Sequence, residues 1–324
     1  MTAFKKGASG DEVVLIQKAL KDAGFYDGET DGVFNDRTET AVNAFQGRSG
    51  LTSDGIVGPV TWARLFPSAA STNKTATGDL PSRCLALTGS FETGQLAPDC
   101  FAAVTGNFDG QGMSFGALQW NFGQGTLQTL LLDMFENHHD IALRIFGEDL
   151  DTIKGAIKGG EESSIAFAVS IHDQKTKNLN THWRHMFMLL GLTPEFQSIE
   201  TKGATSYYER AVRLSKDYEL WTERGLALMF DIAVQNGTIP EKVRELILKD
   251  IAGLNQDLSP EEMEVEKMRI VANHRAEAAK PTYVEDVRKR KLCIAEGKGV
   301  VHGTAYDLAG QFGLDLRKAD LLLS

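Results

Sequence analysis

From Pro67 to Arg83 the chain reads Pro-Ser-Ala-Ala-Ser-Thr-Asn-Lys-Thr-Ala-Thr-Gly-Asp-Leu-Pro-Ser-Arg, small and polar almost throughout. Such a run has too little apolar surface to offset the entropy of ordering it, which predicts a flexible linker over residues 68–83. No single core can run through that stretch. The chain therefore divides into a small domain, residues 1–67, and a large one, residues 84–324. A length of 324 residues agrees, being more than one core usually fills.

Charge and patterning then exclude several classes. With 34 basic against 44 acidic residues the net charge is −10, opposite to what phosphate neutralisation demands, so no nucleic-acid partner is expected. The longest apolar runs, such as Met186 to Leu192, fall far short of the ~20 residues that cross a bilayer, so no membrane insertion is expected. Lys5 and Lys6 are followed by Gly10, Asp11 and Glu12 where a secretion signal would carry its apolar segment, so no signal peptide is expected. Cys84, Cys100 and Cys293 are too few and too scattered for a disulfide framework or a four-ligand zinc site. They read as buried thiols, with a Cys84–Cys100 bridge left open because spacing does not fix their approach. Seven histidines form no His-Glu-x-x-His pattern, so neither a metal nor another cofactor is expected.

In the small domain, Val13, Ile16, Gln17 and Leu20 share one helical face, with Gly24 placed to end that helix. Further helices fit Thr38–Gln46 and Val60–Phe66. An internal repeat links them: Asp31-Gly32-Val33-Phe34-Asn35-Asp36-Arg37-Thr38 returns as Asp54-Gly55-Ile56-Val57-Gly58-Pro59-Val60-Thr61. Asp-Gly supplies a turn whose glycine takes positive φ, the apolar pair plugs the core, and Thr is placed to cap the next helix. Together with Leu15-Ile16-Gln17, Ala44-Phe45-Gln46, Gly50-Leu51 and Thr61-Trp62, residues 4–66 resemble the three-helix peptidoglycan-binding domain of bacterial and phage cell-wall hydrolases. The resemblance implies bacterial peptidoglycan as partner, held near Asp54, Gly55 and Trp62. Trp62 reads equally as a core residue.

In the large domain, Glu92 follows an apolar segment and precedes Gly94, which suits a half-buried carboxyl group at a helix end. Downstream, Gly106 to Asn121 interleaves glycines with Asp109, Ser114, Gln119 and Asn121, predicting a small β-hairpin whose backbone a carbohydrate can approach closely. Two carboxylates facing a cleft are what glycoside hydrolysis requires. Glu92 with Asp109-Gly-x-Gly-x-Ser114-x-Gly116 resembles the catalytic segment of the family 46 chitosanases, in the lysozyme-like superfamily. That resemblance implies Glu92 as general acid, Asp109 as base and Ser114 as the hydroxyl that helps hold water. It extends to Arg224–Gly237, which implies Asp231 and Gln235, four residues apart on one helix face, as substrate contacts beside Gln119 and Asn121. The Gln after Gly-x-Leu is also similar to lytic transglycosylases and lysozymes. With a water between the carboxyl groups they should stand ~6.5 to 9.5 Å apart and the reaction should invert.

Apolar stripes predict helices over Gly125–Phe135, Ser163–Val169, Tyr207–Leu214, Pro240–Ile251 and Pro260–Ala279. The acidic run Glu261–Lys267 reads as a solvated face, and the basic run Arg288–Lys291 as its counterweight, with contact to an acidic wall polymer as the alternative. The expected fold is mainly α: a lysozyme-like α+β catalytic domain with a small β-hairpin, plus a three-helix N-terminal domain. The combination resembles a bacteriophage endolysin. That implies a monomeric, bacteriolytic glycoside hydrolase that cleaves β-1,4 links of wall glycan and waits in the host cytoplasm until it is released to the wall. Two alternatives stand beside it: a chitosanase with a wall-binding module, whose acidic charge suits a polycation, and a non-enzymatic wall-binding protein of a phage particle.

Overall fold

The computed structural model describes residues 4–65, 78–106, 112–173 and 175–319. Residues 68–77 of the expected linker, and Asp109, lie outside them. The described chain is mainly α with two small antiparallel sheets, and its buried side chains gather into three clusters. No described helix is long and apolar enough to cross a membrane.

The small domain packs α1 (Asp11–Asp22), α2 (Asp36–Arg48) and α3 (Pro59–Leu65) around Ile16, Leu20, Phe34, Val42 and Trp62. Its repeat is built on a buried glutamine. The Gln17 amide nitrogen donates to Asp31 Oδ1 at 2.9 Å and to Thr38 Oγ1 at 3.2 Å, while its oxygen accepts from Gly32 N at 2.9 Å. Gln46 repeats this on Asp54 (2.8 Å), Thr61 (3.0 Å) and Gly55 N (3.0 Å). Each glutamine ties the turn after its helix to the next helix. A buried amide with every polar atom satisfied fixes one arrangement of these groups. The threonines accordingly do not cap: Asn35 caps α2, accepting from Arg37 N and Thr38 N, while the Thr38 hydroxyl is occupied by Gln17.

The large domain starts earlier than expected. Asp79 accepts from Ser82 N at 3.0 Å and Pro81 sits in the first turn, so α4 (Leu80–Thr93) takes in residues 80–83 of the expected linker. One lobe forms around α12 (Glu223–Asn236), which is buried from Gly225 to Ala233 and therefore apolar on nearly every side. Around it gather α4, α11 (Thr205–Asp217), α13 (Glu241–Ala252), α14 (Pro260–Glu277), α15 (Val284–Glu296) and the hairpin β4 (Lys298–Val301) and β5 (Thr304–Asp307). The second lobe joins β1 (Val104–Thr105), β2 (Ser114–Phe115) and β3 (Trp120–Asn121) to α5 (Thr126–Asn137), α6 (His139–Phe146), α7 (Asp149–Lys158), α8 (Glu161–Ser170), α9 (Thr181–Gly191) and α10 (Pro194–Gly203). In the sheet Val104 pairs with Phe115, and Phe115 with Trp120.

The acidic face of α14 is not simply solvated. A Ser259–Glu262 capping box starts the helix, but Glu264 is buried and accepts from Trp221 N (2.7 Å) and Thr222 N (2.8 Å), fastening the loop before α12. The small domain lies against the second lobe: Trp62 stacks on His185 of α9 with ring centroids 5.1 Å apart, and Leu189 packs on the small domain's core.

Candidate functional site

Gly94 takes a left-handed conformation, φ 69°, which ends α4 just after Glu92 and turns that side chain toward the junction of the two lobes. Arg290 Nη2 donates to Glu92 Oε1 at 2.7 Å, and the Glu92 side chain is 32% exposed. The same guanidinium lies over the Phe91 ring, 5.1 Å from its centroid, and donates to Asp231 at 2.6 to 3.2 Å. Lys291 pairs with Asp231 and donates to Gln235 Oε1 at 2.8 Å. Thr88 of α4 also reaches Asp231, at 3.3 Å. Glu92 thus stands in an ion-pair cluster, where the sequence suggested a carboxyl group among apolar neighbours.

Burial alone would raise the Asp231 carboxyl, but the charges of Arg290 and Lys291 outweigh it and hold it down to about 2. Burial brings the Lys291 ammonium down to about 8, against the pull of Asp231. Arg290 is pushed the other way, above its ordinary range, because Asp231 and Glu92 more than offset its burial.

A cavity of about 270 Å3 opens beside Glu92, lined also by Gln119, Trp120, Tyr207 and Gln235. The turn joining β2 to β3 supplies two of these, with Gly116 at φ 80° and Gln119 at φ 55°. The Gln119 amide donates back to Gly116 O at 2.9 Å, which fixes the left-handed bend. The structure therefore brings Glu92, Gln119 and Gln235 to one cavity. Ser114 stands half-buried on β2, in register with Asn121, and is not among the lining residues.

Two expected substrate contacts need correction. Asp231 is fully buried, because its carboxylate neutralises Arg290 and Lys291 behind Glu92. Asn121 is buried too, with Oδ1 accepting from Gln124 N at 2.8 Å to close the turn into α5. In the small domain the three residues expected to meet the wall also have structural partners. Asp54 accepts from Gln46 and from Ile56 N, bonds that hold its carboxyl below the usual range. Gly55 supplies φ 68°, and Trp62 is 2% exposed, stacked on His185.

Sequence reasoning missed two features. The basic run faces Asp231 and Glu92 through Arg290 and Lys291, whereas it was expected to balance the acids of α14. The signal was present: Val287, Arg290, Lys291 and Ile294 fall on one helical face, and all four are buried. Glu200 was passed over, although the apolar Phe196 and Ile199 mark its side of α10 as internal. It is fully buried. Its Oε2 accepts from Ala117 N at 2.7 Å and Trp120 Nε1 at 3.4 Å, and a Cβ on Gly116 would lie 2.5 Å from Oε1. Burial raises this carboxyl well above its ordinary value. Glu200 thus holds the β2–β3 turn that forms one wall of the cavity. Cys84, Cys100 and Cys293 are buried free thiols, and among the described residues no group of three or more His, Cys, Asp and Glu could hold a metal ion.

Residues 9–65 match the profile of a family described as "Putative peptidoglycan binding domain". The spore cortex-lytic enzyme of Bacillus cereus is 40% identical over 73 residues, 22% of this chain and 28% of that one. The N-acetylmuramoyl-L-alanine amidase CwlM of Mycobacterium tuberculosis is 44% identical over 57 residues, 18% of this chain and 14% of its own. This chain therefore covers less than a third of the length of either relative. Among solved structures, the native chitosanase from Bacillus subtilis MY002 superposes with a TM-score of 0.42 at 16% identity, covering 71% of this chain and 96% of that one.

Proposed function

We propose that the protein is a cell-wall lytic glycoside hydrolase that cleaves β-1,4 links of peptidoglycan glycan strands, as a bacteriophage endolysin does. The observation that carries this reading is Glu92: a carboxyl group at a helix end, on the wall of a cleft between two lobes, gripped through Oε1 by Arg290. Oε2 has no partner among the described residues and is the oxygen available to a glycosidic bond. Gln235 offers its amide nitrogen to sugar hydroxyls, and half-buried Tyr207 offers ring surface.

In this mechanism Glu92 protonates the departing oxygen while Asp109 accepts a proton from water attacking the opposite face of the sugar, with inversion. Ser114 would orient that water from β2. The Asp231–Arg290–Lys291 cluster fixes Glu92, so that its carboxyl group is positioned before substrate arrives. The small domain's match to a wall-binding family supports the polymeric substrate. Glu92→Gln keeps the side chain's size and removes the donor. It should slow release of reducing ends ~10²- to 10⁴-fold while leaving the melting temperature within a few degrees. Near-normal turnover by the folded variant would move the chemistry elsewhere. Faster release from soluble chitosan than from purified peptidoglycan would favour the chitosanase reading.

A further inference from the structure

Asp54, Gly55 and Trp62 are committed to their own turn and to the contact with His185, so wall recognition by the small domain has to draw on other residues. Beside that contact a second cavity, of about 400 Å3, opens between the two domains. One wall is α1, with Leu15 and Lys18; the other is the junction of α6 and α7 with the start of α9, contributing Arg144, Glu148 and Met186. Asp149 and His182 also line it but pair with each other at 2.6 Å. Lys18, Arg144 and Glu148 have no ion-pair partner among the described residues and are exposed. The cavity thus presents two free cations, one from each domain, one free carboxylate, and apolar side chains between them. Ligand sites are commonly found at such domain junctions.

That lining suits a short peptide better than a sugar. A sugar ring is typically held against an open aromatic face, but Phe146 and His185, the lining rings besides paired His182, are both buried. A peptide with small apolar side chains, more carboxylates than amines and extended geometry matches the charges present. We propose that this cavity binds the stem peptide of peptidoglycan, with Lys18 and Arg144 receiving carboxylates from opposite walls and Glu148 receiving an amine. Charge-assisted hydrogen bonds of this kind are the strong ones. Because each domain supplies one cation, peptide binding also clamps the domains together. The inference rests on the wall-directed reading above but not on catalysis at Glu92.

The test is calorimetric titration of a soluble stem tetrapeptide, which has no glycosidic bond to be cleaved, into the full chain. Binding is expected, and Lys18→Glu and Arg144→Glu should each weaken it about tenfold or more. Both sites are exposed helical positions, so an unchanged melting temperature should accompany the loss. In the chain without these two changes, methyl shifts on adding peptide should fall on Leu15 and Met186. No peptide binding, affinity unchanged by both charge substitutions, shifts confined to the Gln235 cavity, or displacement of the peptide by a peptide-free chitooligosaccharide would each overturn the proposal. Peptide binding as described, in a protein that never cleaves glycan, would count against the catalytic reading alone.

Discussion

At the scale of single residues, two buried carboxyl groups flank the cleft and answer to pH in opposite ways. Asp231 is held down to about 2, so its ion pairs stabilise the fold above the ordinary aspartate value of 3.8 and are lost as pH falls through about 2. The loss should be on the order of 2 kcal/mol. Asp231→Asn leaves buried Lys291 without its anion and Arg290 with Glu92 alone, and should destabilise the protein by about 3–5 kcal/mol, measured by urea unfolding. Glu200 is raised, so the folded chain keeps a proton that the unfolded chain releases. Its contribution is complete below the ordinary glutamate value of 4.5 and declines as pH rises through its folded value. Glu200→Gln, which mimics the protonated group, should therefore lose less stability than wild type between pH 5 and 8 in thermal melts. Glu200→Ala releases the turn that carries Gln119 and Trp120, and should raise KM for glycan more than it lowers kcat. A Glu200→Gln variant with the same KM defect as Glu200→Ala would contradict a positioning role.

At the scale of elements, helices with a clear apolar stripe were legible within a few residues. Thr38–Gln46 was observed as Asp36–Arg48, and Tyr207–Leu214 as Thr205–Asp217. The Asp-Gly repeat was legible too, but its cause was not, because it lies in a side chain 14 residues before one turn and 8 before the other. Gln46→Ala leaves the buried Gly55 amide without its acceptor and should cost the small domain about 1–3 kcal/mol. Hydrogen exchange at Gly55 and Ile56 would report it. The site was partly legible for the same reason. Glu92 could be read from an apolar helix ending in glycine, whereas Asp231 was misread because a spacing of four places two side chains on one face without saying which is buried. The partners that decide this, Arg290 and Lys291, are about 60 residues away on α15.

At the scale of the whole molecule, the small domain has its own core yet touches the large one where Trp62 and Phe4 meet His185 and where Leu189 packs on that core. Removing residues 1–67 should leave a folded large domain, since its two clusters are complete without them. That domain should no longer sediment with insoluble peptidoglycan and should cleave it more slowly, through loss of effective concentration, while cleaving soluble glycan fragments at the full rate. A large domain that unfolds would show the contact to be integral to stability.

In the proposed function Glu92 acts on a glycosidic bond of the wall. Mass spectrometry of purified peptidoglycan digested by the wild-type chain and by Glu92→Gln tests it directly. Wild type should give muropeptides with new reducing sugar ends and intact stem peptides, and the variant almost none. Fragments cut at an amide bond, or an unchanged glycan digest from Glu92→Gln, would contradict it.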